Sequence, residues 1–220
     1  MKIILMLMLV IAAIILYRKW IGNSRQQFLE QFRMPDAVVG RFLQKHPGLS
    51  SAQEELVREG LQQYFQICQR ARGRFVSMPS QVVDDLWHDF ILFTHHYRNF
   101  CDKAFGRFLH HTPVEAMSSP HLATAGIRRT WFHACRIEGI DPKQPKRLPL
   151  LFALDAQLGI AQGFFYTLNC ANPATSSGNT FCASSIGCGG SDSGCAGDTG
   201  GGDGGGDGGD GGSGCGGGGD

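Results

Sequence analysis

The eight cysteines include no Cys-x-x-Cys pair, which removes the usual framework of a zinc knuckle. There is no Gly-x-Ser-x-Gly elbow, and no glycine loop closes on Lys-Ser or Lys-Thr, so neither a serine hydrolase nor a phosphate-cradling loop is expected. No basic stretch is interleaved with aromatics and no Arg-Gly-Gly element occurs, so no nucleic-acid partner is expected. Residues 171–220 contain no lysine or arginine, residues 80–105 contain no glycine or proline, and residues 3–17 contain no charge. These last three absences divide the chain.

Twenty-one of the last fifty residues are glycine and six are aspartate, giving that segment a charge of −6 against +7 for residues 1–170. A segment so poor in large apolar side chains cannot offset its ordering entropy, so 171–220 is expected to be a disordered tail. Its Gly/Asp pattern lacks the apolar position of a calcium-binding nonapeptide repeat. Cys170, Cys182, Cys188, Cys195 and Cys215 fall in or beside it and read as reduced thiols, with metal binding or disulfides as the alternative in an oxidising space.

At the other end, Ile3–Tyr17 spans roughly 22 Å as a helix, short of a ~30 Å hydrocarbon layer. Lys2, Arg18 and Lys19 can snorkel and Trp20 suits the interface, so a single membrane span within residues 1–23 is expected, touching lipid through 3–17. A cleaved signal peptide is the rival. The single lysine before the run and Tyr17-Arg18-Lys19-Trp20 in place of a small-residue cleavage site weigh against it. Arg18, Lys19 and Arg25 outnumber Lys2 and the amino terminus, which places the body on the cytoplasmic side.

Residues 24–170 read as one helical domain. Ser24-Arg25-Gln26-Gln27 and Ser51-Ala52-Gln53-Glu54 resemble capping boxes, and Asp36 opens a short helix that stops before Pro47-Gly48. Leu56, Val57, Leu61, Tyr64, Phe65 and Cys68 form the stripe of a helix ending near Gly73. Thr112-Pro113-Val114-Glu115 starts a short helix. Ser119-Pro120 starts a longer one with Leu122, Ile127, Trp131, Phe132 and Cys135 inward. Leu150–Leu168 is open between helix and strand.

The domain is organised around Pro79–Pro113, which holds five of the eight histidines. Ser80–Phe105 reads as one amphipathic helix, capped by Ser80 and stopped by Gly106. Asp84, His88, His95, Asn99 and Asp102 occupy a strip of its polar side. Asp84 and His88 are four apart and can touch. His88 and His95, seven apart, lie roughly 10 Å apart along a straight axis. A shared metal therefore needs a further ligand from His110, His111 or Cys101. A packed Trp87 beside a hydrogen-bonded His88 explains the same residues without a metal.

The run Val83-Asp84-Asp85-Leu86-Trp87-His88, with Tyr97, Phe100-Cys101, Gly106 and His110-His111-Thr112-Pro113, resembles the core motif of the glycine-rich domain-containing protein family. Leu148–Ile160 and the glycine-rich tail fit its bacterial members, and the likeness covers roughly Pro47 to Ile160. It implies no established catalytic activity.

The expectation is thus an all-α protein: an irregular helical domain around a central amphipathic helix, with an N-terminal transmembrane helix and a disordered tail. Its leading functional reading is a non-enzymatic interaction or scaffolding module with an unknown protein partner. The alternative is a metal-binding protein or metal-dependent hydrolase. Asp84, Trp87, His88, His95, His110 and His111 are the candidate functional residues, and Asp84, His88, His95 and His110 the candidate ligands. No organic cofactor is expected, and a divalent transition metal is the inorganic candidate.

Overall fold

The computed structural model describes residues 2–111, 120–168, 180–183 and 186. Within them the chain is all-α, with helices α1 (Lys2–Gln31), α2 (Asp36–Lys45), α3 (Ser51–Arg70), α4 (Gln81–Leu92), α5 (Thr94–Ala104), α6 (Pro120–Ile137) and α7 (Leu150–Gln157). The segment left open between helix and strand is both: α7 is followed by β1 (Phe165–Thr167), which pairs in parallel with β2 (Thr180–Cys182). Thr180–Cys182 and the buried Ala183 thus pack with the body, and residues 187–220 lie outside the described ones. The short helix expected at Thr112-Pro113-Val114-Glu115 also lies outside them.

The N-terminal boundary differs from expectation. One 30-residue helix runs through Ser24 without a break, so Ser24 is not a cap. Glutamine-rich residues sustain the helix: Gln26 donates to Glu30 one turn on, and Phe28 and Phe32 reach the ring of Phe100. The outer half of α1 is exposed and apolar, and α1 as a whole is long enough and apolar enough to cross a membrane. The inner half buries Leu29 and is held by Gln62 of α3, whose amide donates to the carbonyl oxygens of Leu29 and Glu30.

α3 is capped one residue earlier than expected, by Ser50 with Gln53. Its Val57, Leu61, Tyr64, Phe65 and Cys68 stripe is buried as the periodicity predicts. In α6, Trp131 and Cys135 are buried, whereas Phe132 is exposed and lies under the Arg136 guanidinium.

The expected single central helix is two. It bends at Phe93 (φ −84°, ψ 60°), which ends α4 and begins α5. In a straight helix, Trp87 and Tyr97 would stand ~15 Å apart along the axis. The bend brings the Trp87 indole N–H within 3.2 Å of the Tyr97 hydroxyl and packs Phe90 against Tyr97 and Phe100 at 5.2 and 5.3 Å between ring centres. One backbone bend is offset by an aromatic cluster that a straight helix could not close.

Candidate metal centre

α4 is fixed at its start by a residue from far along the chain. Asp155 of α7 is buried, and its carboxylate accepts from Ser80 Oγ (2.7 Å), Gln81 N (2.7 Å), Val82 N (3.2 Å) and Phe164 N (2.8 Å). Two of these are the free N–H groups of the first helical turn, where a carboxylate is also favoured by the dipole. The register of α4 is therefore set from α7. Asp89 fixes its other flank: its buried carboxylate takes Arg41 Nε at 2.8 Å and Lys45 Nζ at 2.7 Å. Helical periodicity alone places Asp89 on the polar side beside His88, and nothing local marks it as buried. Asp155 did carry a signal, a lone acid inside the apolar run Leu150–Leu158.

On this fixed helix, Asp84 and His88 share one face, with His88 Nδ1 at 3.5 Å from Asp84 Oδ2. His111 joins them from beyond α5. Its Nε2 lies 2.9 Å from Asp84 Oδ1, and its ring stacks edge-on against Trp87 and beside His88. The Tyr97 hydroxyl carries it there, accepting from Trp87 and donating to the Leu109 carbonyl oxygen at 2.6 Å. Burial pushes the Tyr97 phenol far above its ordinary value, so it stays a neutral donor.

Asp84, His88 and His111 each offer one donor atom, and all three lie within 4.8 Å of one another. A tetrahedral ion with bonds of ~2.0–2.1 Å holds its ligands roughly 3.4 Å apart, near the 3.5 Å from His88 Nδ1 to Asp84 Oδ2 and the 2.9 Å from His111 Nε2 to Asp84 Oδ1. Three protein ligands leave a fourth position open. The three residues also line a cavity of about 520 Å³, whose wall includes Arg74, Ser77, Gln81, Arg107 and Phe164. Burial raises the Cys68 thiol, also on that wall, to about 12, so it stands there as a neutral thiol.

Two expected ligands do not belong to the cluster. The bend at Phe93 carries His95 onto α5, where it is exposed and accepts from the Asn99 amide at 3.2 Å. His110 is exposed, lines the cavity's edge and packs on Phe108 at 4.9 Å. His111, the alternative to His110 as the further ligand, takes their place.

No curated protein and no solved structure matches the chain. Residues 24–186, the whole body with α4 and the Asp84–His88–His111 cluster inside it, match an uncharacterised family described as UCP032817-like. The chain belongs to the UCP032817-like family.

Proposed function

We propose that the body binds one divalent transition metal through Asp84, His88 and His111 and uses it for hydrolysis, on a chain tethered to a membrane by α1. The convergence of three ligand atoms at the wall of a substrate-sized cavity carries the reading. A metal with an open position lowers the pKa of its bound water to near 7 and so supplies hydroxide at neutral pH. Arg74 and Arg107 on the cavity wall favour an anionic substrate. The scaffolding reading has less to rest on. Outside α1, the exposed large hydrophobics among the described residues are Leu92, Phe132 and Phe181, on separate elements. The resemblance to the glycine-rich domain-containing proteins names no competing chemistry.

Elemental analysis of purified, tag-free protein tests the reading. One transition-metal ion per chain, lost on His111→Ala with the helical circular dichroism retained, supports it. A chain that neither carries nor takes up a metal sinks it.

The membrane tether rests on the exposed apolar half of α1. Two opposed signals bear on which side the body occupies. Arg18, Lys19 and Arg25 favour the cytoplasm, by a margin of one or two charges. Cys182 is disulfide-bonded, a state that persists in oxidising spaces. We give the disulfide more weight and place the body outside the cytoplasm. Labelling of intact cells with an impermeant maleimide after mild reduction checks this: reaction at Cys182 before lysis is expected, and reaction only after lysis reverses the orientation.

A further inference from the structure

The turn after α3 and the middle of α6 bring five arginines to one basin of about 350 Å³: Arg70, Arg72, Arg74, Arg128 and Arg129, with His133 completing the wall. Neither contributing segment, 66–80 nor 120–137, contains an aspartate or glutamate. None of the five arginines forms an ion pair among the described residues. Arg129 donates to the Phe75 carbonyl oxygen, and the buried Nε of Arg128 has no partner among the described residues. Arg70 sits in the last turn of α3, where the dipole favours a cation, and Arg129 holds the Phe75 carbonyl oxygen. Arg72, Arg74 and Arg128 have no such role.

The turn itself is costly. Arg72 has φ 49° and Gly73 φ 91°, two successive left-handed residues of which the first is a long side chain. Backbone bonds from Arg72 N to Gln69 O (3.2 Å) and Arg74 N to Ala71 O (3.0 Å) hold it. Burial, and then the charges of Arg70, Arg136 and Arg74, hold the His133 imidazole below its ordinary value, as an uncompensated cationic field should.

The basin also has a place relative to α1. Arg33, just past the end of α1, meets Glu55 near the start of α3, while Leu29 of α1 meets Gln62 farther along it. The two helices therefore run antiparallel, and the end of α3 lies toward the side from which the apolar half of α1 leaves the body. The next contacts agree: Arg25 of α1 packs against Gly106, and the neighbouring Arg107 against Gly73. Arg18, Lys19 and Trp20 follow on α1 within two turns.

We propose that this arginine basin binds the phosphate group of an anionic membrane lipid. Guanidinium forks pair with phosphate oxygens two at a time, and several together suit a compact, multiply charged oxyanion. The chain's own tail fits less well, because its aspartates are single carboxylates separated by glycine runs. The lipid source rests on the anchored reading of α1; the phosphate chemistry does not.

The test uses the full chain in a neutral detergent, titrated with short-chain phosphatidic acid, short-chain phosphatidylcholine and inorganic phosphate. Phosphatidic acid is expected to bind and phosphatidylcholine not. The double variant Arg72→Gln/Arg128→Gln should weaken binding at least tenfold with circular dichroism unchanged, and Arg70→Gln serves if the double variant fails to fold. Arg33→Gln/Lys146→Gln removes the same charge from exposed positions and should leave binding intact. Equal loss in that control, no loss in the basin variant, or phosphatidylcholine binding as tightly overturns the proposal. Inorganic phosphate binding as tightly as phosphatidic acid overturns the lipid source. Carbonate extraction of membranes is read separately. Release of the wild-type chain overturns the tether and the lipid source together, whereas retention without phosphatidic acid binding overturns the basin alone.

Discussion

Two groups of histidines lie within one stretch of this chain and have opposite fates. His88 and His111 converge on Asp84 at the wall of a cavity, packed beside Trp87. His95 and His110 face outward, one beside Asn99 and the other on Phe108. Composition does not separate them, nor does distance along the chain, since His111 is 23 positions from its partner His88 and His95 only seven. What separates them is the bend at Phe93 and the Trp87–Tyr97–Leu109 hydrogen-bond chain, which together return the segment after α5 to α4. A ligand set in a helical protein is a property of how helices are joined, more than of which residues they carry.

The two histidine groups lose their separation most completely if α4 loses its anchor. Asp155→Ala leaves four donors without their acceptor and should cost ~4 kcal/mol or more, read as a lowered denaturant midpoint. Trp87→Ala should cost ~3–5 kcal/mol, because the ring is buried among Tyr64, Phe65 and His111. His95→Ala should stay within about 0.5 kcal/mol of wild type in the same measurement. If His95→Ala proves as damaging as Trp87→Ala, the outward group has been misplaced.

Tyr97→Phe isolates the link between the two groups. It keeps the packed ring and removes only the hydroxyl that links Trp87 to Leu109, at a cost of ~1–2 kcal/mol. Because that link places His111, metal affinity should also fall, by ~10-fold or more. A stability loss with affinity unchanged would show that His111 is held by other means.

His133, which belongs to neither group, gives a pH signature. Its folded pKa lies below the ordinary 6.5, so the unfolded chain takes up the proton first as pH falls. Its contribution is neutral above that value and destabilising as pH drops through 6.5 toward the folded value. His133→Gln should flatten the pH dependence of thermal unfolding in that window. An unchanged slope would mean that the imidazole is not depressed. The smallest effect concerns Cys68. With its thiol raised to about 12, it should resist alkylation in the native chain and react on unfolding, followed by mass spectrometry.

The helical architecture was legible because its signals are local. The apolar stripe of α3 and the cap of α4 by Ser80 depend only on neighbours a turn away. The Asp84–His88 pair was legible for the same reason. The continuation of α1 past Ser24 was not, because contacts from Phe28 and Phe32 to Phe100 override a plausible cap. Neither was the break at Phe93, a residue with no breaker chemistry, where the aromatic cluster decides. Choosing His111 over His110 needed the register that Tyr97 sets, and Asp89 was hidden because its cations come from another helix.

The most direct test of the central claim is zinc affinity, measured by competition with a chromogenic chelator, for His88→Ala, His111→Ala, His95→Ala and His110→Ala side by side. One site is expected in wild type, weakened at least ~100-fold by the first two substitutions and unchanged by the last two. Equal losses at His95 or His110, or wild-type affinity in His111→Ala, would contradict it.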